Sequence, residues 1–104
     1  MVVTMVYLTA KRWAPMPKID VTIINRLGLH ARAAARLVSI ASAYDAHIEL
    51  ERNGRRVNGK SIMGVMMLAA AQGSELTIHA EGNDAKHALE ELRTLINNRF
   101  GEEN

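Results

Sequence analysis

Cysteine is absent from this chain. That excludes a disulfide scaffold, a cysteine nucleophile and a thiolate metal site. It leaves the compartment open, with a lean toward the cytoplasm. Aromatic residues are scarce, with Tyr7, Trp13, Tyr44 and Phe100 the only four. So few stacking side chains, without a dense basic surface, argue against a nucleic-acid binder. No apolar run approaches the roughly 18 residues of a membrane span, so no membrane insertion is expected. What is present fits one soluble domain with a modest core: 104 residues, 48% hydrophobic and 23% charged.

The formal charge of +2 is unevenly spread. Residues 1–17 hold Lys11 and Arg12 and no acid, residues 18–60 hold eight bases and four acids, and residues 61–104 hold three bases and seven acids. From Met16 onward the balance is 11 to 11. Residues 1–15 lack the basic lead and long apolar core of a signal peptide. They are expected to be a disordered extension or an artefact of the start site, with Met16 the natural start.

Ile19, Val21 and Ile23 alternate with polar residues, the period of a half-buried strand. Gly28 permits a turn, and from Ala31 the stripe Ala34, Leu37, Val38, Ala41 predicts a helix. Ala46, Ile48 and Leu50 predict a second strand, which Asn53-Gly54 turns back into a third over Arg55–Asn58. The apolar run Ile62–Ala71 predicts a helix capped by Ser61 and stopped by Gly73. Leu76, Ile78 and Ala80 give a fourth strand. Gly82-Asn83-Asp84 caps a last helix whose inner face is Ala85, Ala88, Leu89, Leu92 and Ile96. The order βαββαβα predicts an α+β open-faced sandwich, a four-stranded antiparallel sheet covered on one face by three helices.

Gly28-Leu29-His30-Ala31-Arg32 lies where a strand gives way to a helix. The first amides of a helix lack intrahelical acceptors and face a positive dipole end, which suits a phosphate. An imidazole there is a nucleophile near neutral pH, and Arg32 adds a fixed charge for phosphoryl oxygens. The other histidines, His47, His79 and His87, fall on polar phases and lack the spacing of a metal site. No metal or cofactor is expected. In the second unusual stretch, Val65 and Leu68 can face the core, but Ile62, Met63 and Met66 cannot all follow. They form either a buried short helix or an exposed partner surface.

Leu27-Gly28-Leu29-His30-Ala31-Arg32, followed by Lys60-Ser61-Ile62-Met63-Gly64-Val65-Met66, resembles the HPr family, the histidine-containing phosphocarriers of the bacterial phosphoenolpyruvate-dependent sugar phosphotransferase system. The resemblance spans residues 16–104. It implies that His30 accepts a phosphoryl group on Nδ1 from phosphorylated enzyme I and passes it to an enzyme IIA domain, with Arg32 steadying the phosphorylated state. It implies that Ser61 is the site of an HPr kinase/phosphorylase. Leu29, Ile62, Met63 and Met66 would form the docking surface, with Arg36 meeting acidic partners. Such a protein is a cytoplasmic phosphoryl carrier, expected to be a monomer and not a stand-alone catalyst. Ala33 stands where the family usually has Pro, which implies a slightly less rigid helix start with phosphoryl acceptance retained. Two alternatives remain. One is a regulatory binding module in which His30 is unused. The other is the nitrogen-related paralogue, against which Ser61-Ile62-Met63-Gly64 argues. A small α+β enzyme is a third class, but no second catalytic group stands near His30 in the sequence.

Overall fold

A computed structural model describes residues 17–104, so the expectations for residues 1–15 and for a start at Met16 lie outside the described residues. The chain forms β1 (Lys18–Thr22), α1 (Ala31–Ser42), β2 (His47–Arg52), β3 (Arg55–Asn58), α2 (Ile62–Met66), β4 (Glu75–Glu81) and α3 (Ala85–Asn97), followed by a tight turn at Arg99–Gly101. The four strands make one antiparallel sheet in the order β1-β4-β2-β3. The βαββαβα sandwich read from the periodicity is the fold observed.

The sheet's two faces follow the alternation. Val21, Ile48, Leu50, Leu76, Ile78 and Ala80 are buried under the helices. They meet Ala33, Ala34, Leu37 and Ala41 of α1 and Ala85, Ala88, Leu89, Leu92 and Ile96 of α3. Register fixes this, since Leu50 lies opposite both Ile78 and Val57, and a one-residue slip would turn every apolar side chain outward. The other face is polar. His47 bonds Glu49 at 2.8 Å within β2, and across the strands Arg56 bonds Glu49 at 2.9 Å and His79 bonds Glu51 at 2.7 Å. His79 is thereby largely covered, whereas His87 on α3 is exposed. Among the described residues, no three His, Asp or Glu side chains are grouped to hold a metal ion, and no helix is long and apolar enough to cross a membrane.

Two expected element ends differ. The helix predicted to run toward Gly73 stops at Met66, with Met67 as its C-cap. Its last turn tightens, Leu68 N–H bonding the Val65 carbonyl and Ala69 N–H the Met66 carbonyl, and Ala69 takes a positive φ of 49°. The carbonyls of Met67 and Leu68, orphaned by this stop, accept from Arg55 at 3.2 Å and Arg52 at 3.1 Å. Gly73 instead sits in the following turn and bonds the Ile23 carbonyl at 2.7 Å.

Asp84 precedes α3, but its side chain makes no bond to the helix. Its two carboxylate oxygens accept from the amides of Asp45 and Ala46, both at 2.9 Å, tying the start of α3 to the start of β2. The Asp45 amide is the main reason its carboxyl lies below the ordinary range, with the Ala46 amide helping and burial opposing. A depressed folded pKa contributes stability that is full above the ordinary value near 4 and is lost as pH falls through the lower folded value. Thermal melts at about pH 7 and about pH 3 check this. Asp84→Asn is expected to lower the melting temperature at the higher pH and to narrow the gap between the two.

Candidate functional site

The site begins at a backbone constraint. Gly28 adopts φ 67°, and a Cβ there would lie 2.7 Å from the Ala70 carbonyl oxygen and 2.9 Å from Ala71 Cα. Only glycine meets both demands. The close approach lets Leu29 N–H bond the Ala70 carbonyl at 2.8 Å, locking the loop before α1 onto the segment after α2.

This local turn decides which leucine faces out. Leu29, expected on the docking surface, is 6% exposed and belongs to the core, while Leu27 is 67% exposed. The left-handed Gly28 breaks the alternation that would otherwise fix the phase. The expectation that Leu29 lies on an exposed surface is therefore corrected: Leu29 is a core residue, and Leu27 is the exposed leucine of this segment. Ile62, Met63, Met66 and Met67 of the second segment are all exposed, Met63 the most at 75%. Val65 and Leu68 face inward as their spacing requires. The choice between a buried helix and an open apolar patch thus falls to the patch.

His30 is the N-cap residue of α1, in extended backbone (φ −74°, ψ 177°), and its side chain does not cap the helix. The ring is partly exposed and lines a cleft with Arg26, Leu27, Arg32 and Glu102. Arg32 is exposed on the same cleft and has no salt-bridge partner among the described residues. Arg36, one turn further on, donates Nη1 to the Phe100 carbonyl, so it has an internal task as well as an exposed position. Ala33, where proline is usual, is fully buried in the third position of α1. It supports the first turn as a strong helix former.

The residue that sequence reasoning missed is Glu102. Its Oε2 accepts from His30 Nε2, and its Oε1 accepts from Asn25 Nδ2 at 2.9 Å. Asn25 is fully buried and donates the same amide to the Gly28 carbonyl at 2.7 Å. Burial pushes the Glu102 carboxyl upward, but bonds from Asn25 and His30, with the Arg36 charge nearby, outweigh it and hold the group below the usual range. Glu102 is 72 residues from His30 in sequence. It arrives because the turn at Arg99–Gly101 buries Phe100 with a positive φ of 54° and returns the chain, and Arg26 N–H bonds the Asn104 carbonyl at 2.9 Å.

The second candidate, Ser61, caps the other short helix. Its Oγ accepts from Gly64 N–H at 3.1 Å. A Cβ on Gly64 would meet the Asn58 carbonyl and Ser61 Oγ at 3.4 Å, so this glycine is not dictated by a severe clash. Helices α1 and α2 pack against each other, which brings the two helix starts into one layer.

Residues 17–98 match the family model described as the PTS HPr component phosphorylation site. The chain belongs to the HPr family. It is 54% identical over 83 residues to the phosphocarrier protein HPr of Cupriavidus necator, covering 80% of this chain and 93% of that one. It is 53% identical over 88 residues to the HPr of Pseudomonas aeruginosa, covering 84% and 98%. The crystal structure of HPr-C-His from Thermoanaerobacter tengcongensis superposes with a TM-score of 0.83 at 43% identity, covering 86% of this chain and all of that one. As an HPr-family phosphocarrier of the phosphotransferase system, the chain is a carrier and not a stand-alone catalyst. The family resemblance carried by the segments around His30 and Ser61 is thus borne out.

Proposed function

We propose that this HPr-family chain accepts a phosphoryl group on His30 Nδ1 from phosphorylated enzyme I and passes it to an enzyme IIA domain. The observation that carries this reading is the His30 ring itself. It is partly exposed in a cleft at the start of α1, beside Arg32, with its other ring nitrogen already engaged. The nucleophile is the imidazole. The guanidinium of Arg32 pairs with phosphoryl oxygens, and the free amides of the helix start favour a dianion. The exposed apolar patch of Leu27, Ile62, Met63, Met66 and Met67 supports successive docking, since methionines adapt to different partner shapes. Ser61 is a second, regulatory acceptor for an ATP-dependent HPr kinase/phosphorylase. A phosphate there adds charge at the edge of the patch.

Incubation with phosphoenolpyruvate and enzyme I tests the relay. The protein is expected to gain about 80 Da in an acid-labile form that maps to His30. No gain under conditions that label a related HPr overturns the reading. With ATP and an HPr kinase the gain is instead acid-stable and vanishes in Ser61→Ala. The patch has its own test. Met63→Asp is expected to slow transfer from enzyme I about tenfold or more through weaker docking, as loss of an interface anchor does. Because Met63 is exposed, its melting temperature should stay near that of the wild type.

A further inference from the structure

The proposed reaction asks for one ring nitrogen of His30 to be a free lone pair. The hydrogen-bond network around the ring decides which. An ionised carboxylate only accepts, so the Glu102 oxygen on Nε2 requires the proton to be on Nε2. That leaves Nδ1 unprotonated in the neutral ring. Asn25 makes this arrangement rigid. It is fully buried, and its amide nitrogen is shared between the Gly28 carbonyl and Glu102 Oε1. The carboxylate is thus fixed from the loop that carries His30, while the Phe100 anchor fixes it from the other side.

We propose that Glu102 is a positioning residue: its carboxylate, held by Asn25 and seated by the buried Phe100, locks His30 as the Nε2–H tautomer and so presents the Nδ1 lone pair. The proposal rests on the carrier reading of His30. In the transfer step the Nδ1 lone pair forms a bond to phosphorus. The bond between phosphorus and the phosphorylated donor protein breaks, and its electron pair leaves with the donor. The ring keeps its Nε2 proton and so becomes cationic, with the Glu102 carboxylate against that proton. Onward transfer reverses these steps, and the same carboxylate then faces a neutral ring. Glu102 therefore favours the charged, phosphorylated ring as well as the correct tautomer, in the way a buried carboxylate orients a catalytic histidine elsewhere.

Nitrogen-15 spectra of the neutral His30 ring, recorded on the unphosphorylated full chain, test the tautomer without any donor. The wild type should show a protonated Nε2 and an unprotonated Nδ1. Glu102→Ala and Glu102→Leu, which offer no acceptor, should shift both resonances toward the exchanging mixture of a free imidazole. Both should also slow the initial rate of His30 phosphorylation about tenfold, the scale of a charge-assisted hydrogen bond. Variants that keep the wild-type nitrogen pattern overturn the proposal, whether or not their rate falls, because a rate change alone assigns Glu102 to docking. Shifted resonances with an unchanged rate overturn it too. If the wild type is never labelled at His30, the carrier reading fails and takes this proposal with it. If it is labelled and the variants match it, only the role of Glu102 is lost.

Discussion

His30→Gln is expected to accept no acid-labile phosphoryl group from phosphoenolpyruvate and enzyme I, a loss of at least about 10⁴-fold. The substitution separates the hydrogen bond to Glu102 from the nucleophile. Glutamine keeps an N–H donor where Nε2 meets Glu102, so the network through Asn25 retains its partner. It has nothing in place of Nδ1. The ring is partly exposed and makes no helix-capping bond, so stability should stay within about 0.5 kcal/mol. A normal melting curve with no label identifies the His30 ring as the acceptor. Label retained in the variant would place the nucleophile elsewhere.

Phe100→Ala is expected to be the most destabilising single change named here, by about 3–5 kcal/mol, as for other buried phenylalanines cut to alanine. Phe100 is 1% exposed and closes the core beyond the end of α3. In a domain of this size the melting temperature should fall by more than about 10 °C. Urea or thermal denaturation measures it. The change has a second consequence at a distance. Arg36 holds the Phe100 carbonyl, and Glu102 follows two residues later, so loosening the anchor also loosens the carboxylate on His30. Under conditions where the variant remains folded, its phosphorylation rate should fall by about as much as that of Glu102→Ala. A wild-type rate would separate the anchor from the site.

The regular elements were legible because periodicity reports burial directly. Every apolar residue assigned to the inner face of α3 is buried, and Leu76, Ile78 and Ala80 alternate as read. His30, Arg32 and Ser61 were legible as residues, since each stands at a helix start. What was not legible depended on chain direction or on distance. The phase of Leu27 and Leu29 turns on one left-handed glycine, which permits a reversal without dictating which side chain leaves the core. The stop of α2 at Met66 is accompanied by Arg52 and Arg55, which reach from the neighbouring hairpin to the Leu68 and Met67 carbonyls just beyond it. Asp84 has the composition of a helix cap and serves another loop instead. Glu102 lies in a short polar stretch with no period at all, and the buried Phe100, with the bonds from Arg26 and Asn25, brings it to the ring.

The left-handed turn at Arg99–Gly101 acts as a ruler. Phe100 is pinned at one mark and the Glu102 carboxylate must fall on another, with one glycine between them. Two residues of extended chain reach at most about 7 Å, and one residue more or fewer moves the next side chain by more than 3 Å. Composition in this stretch is therefore secondary to length. The charge near His30 is set by counting residues from an aromatic anchor, and the polar tail has latitude in sequence that it lacks in span.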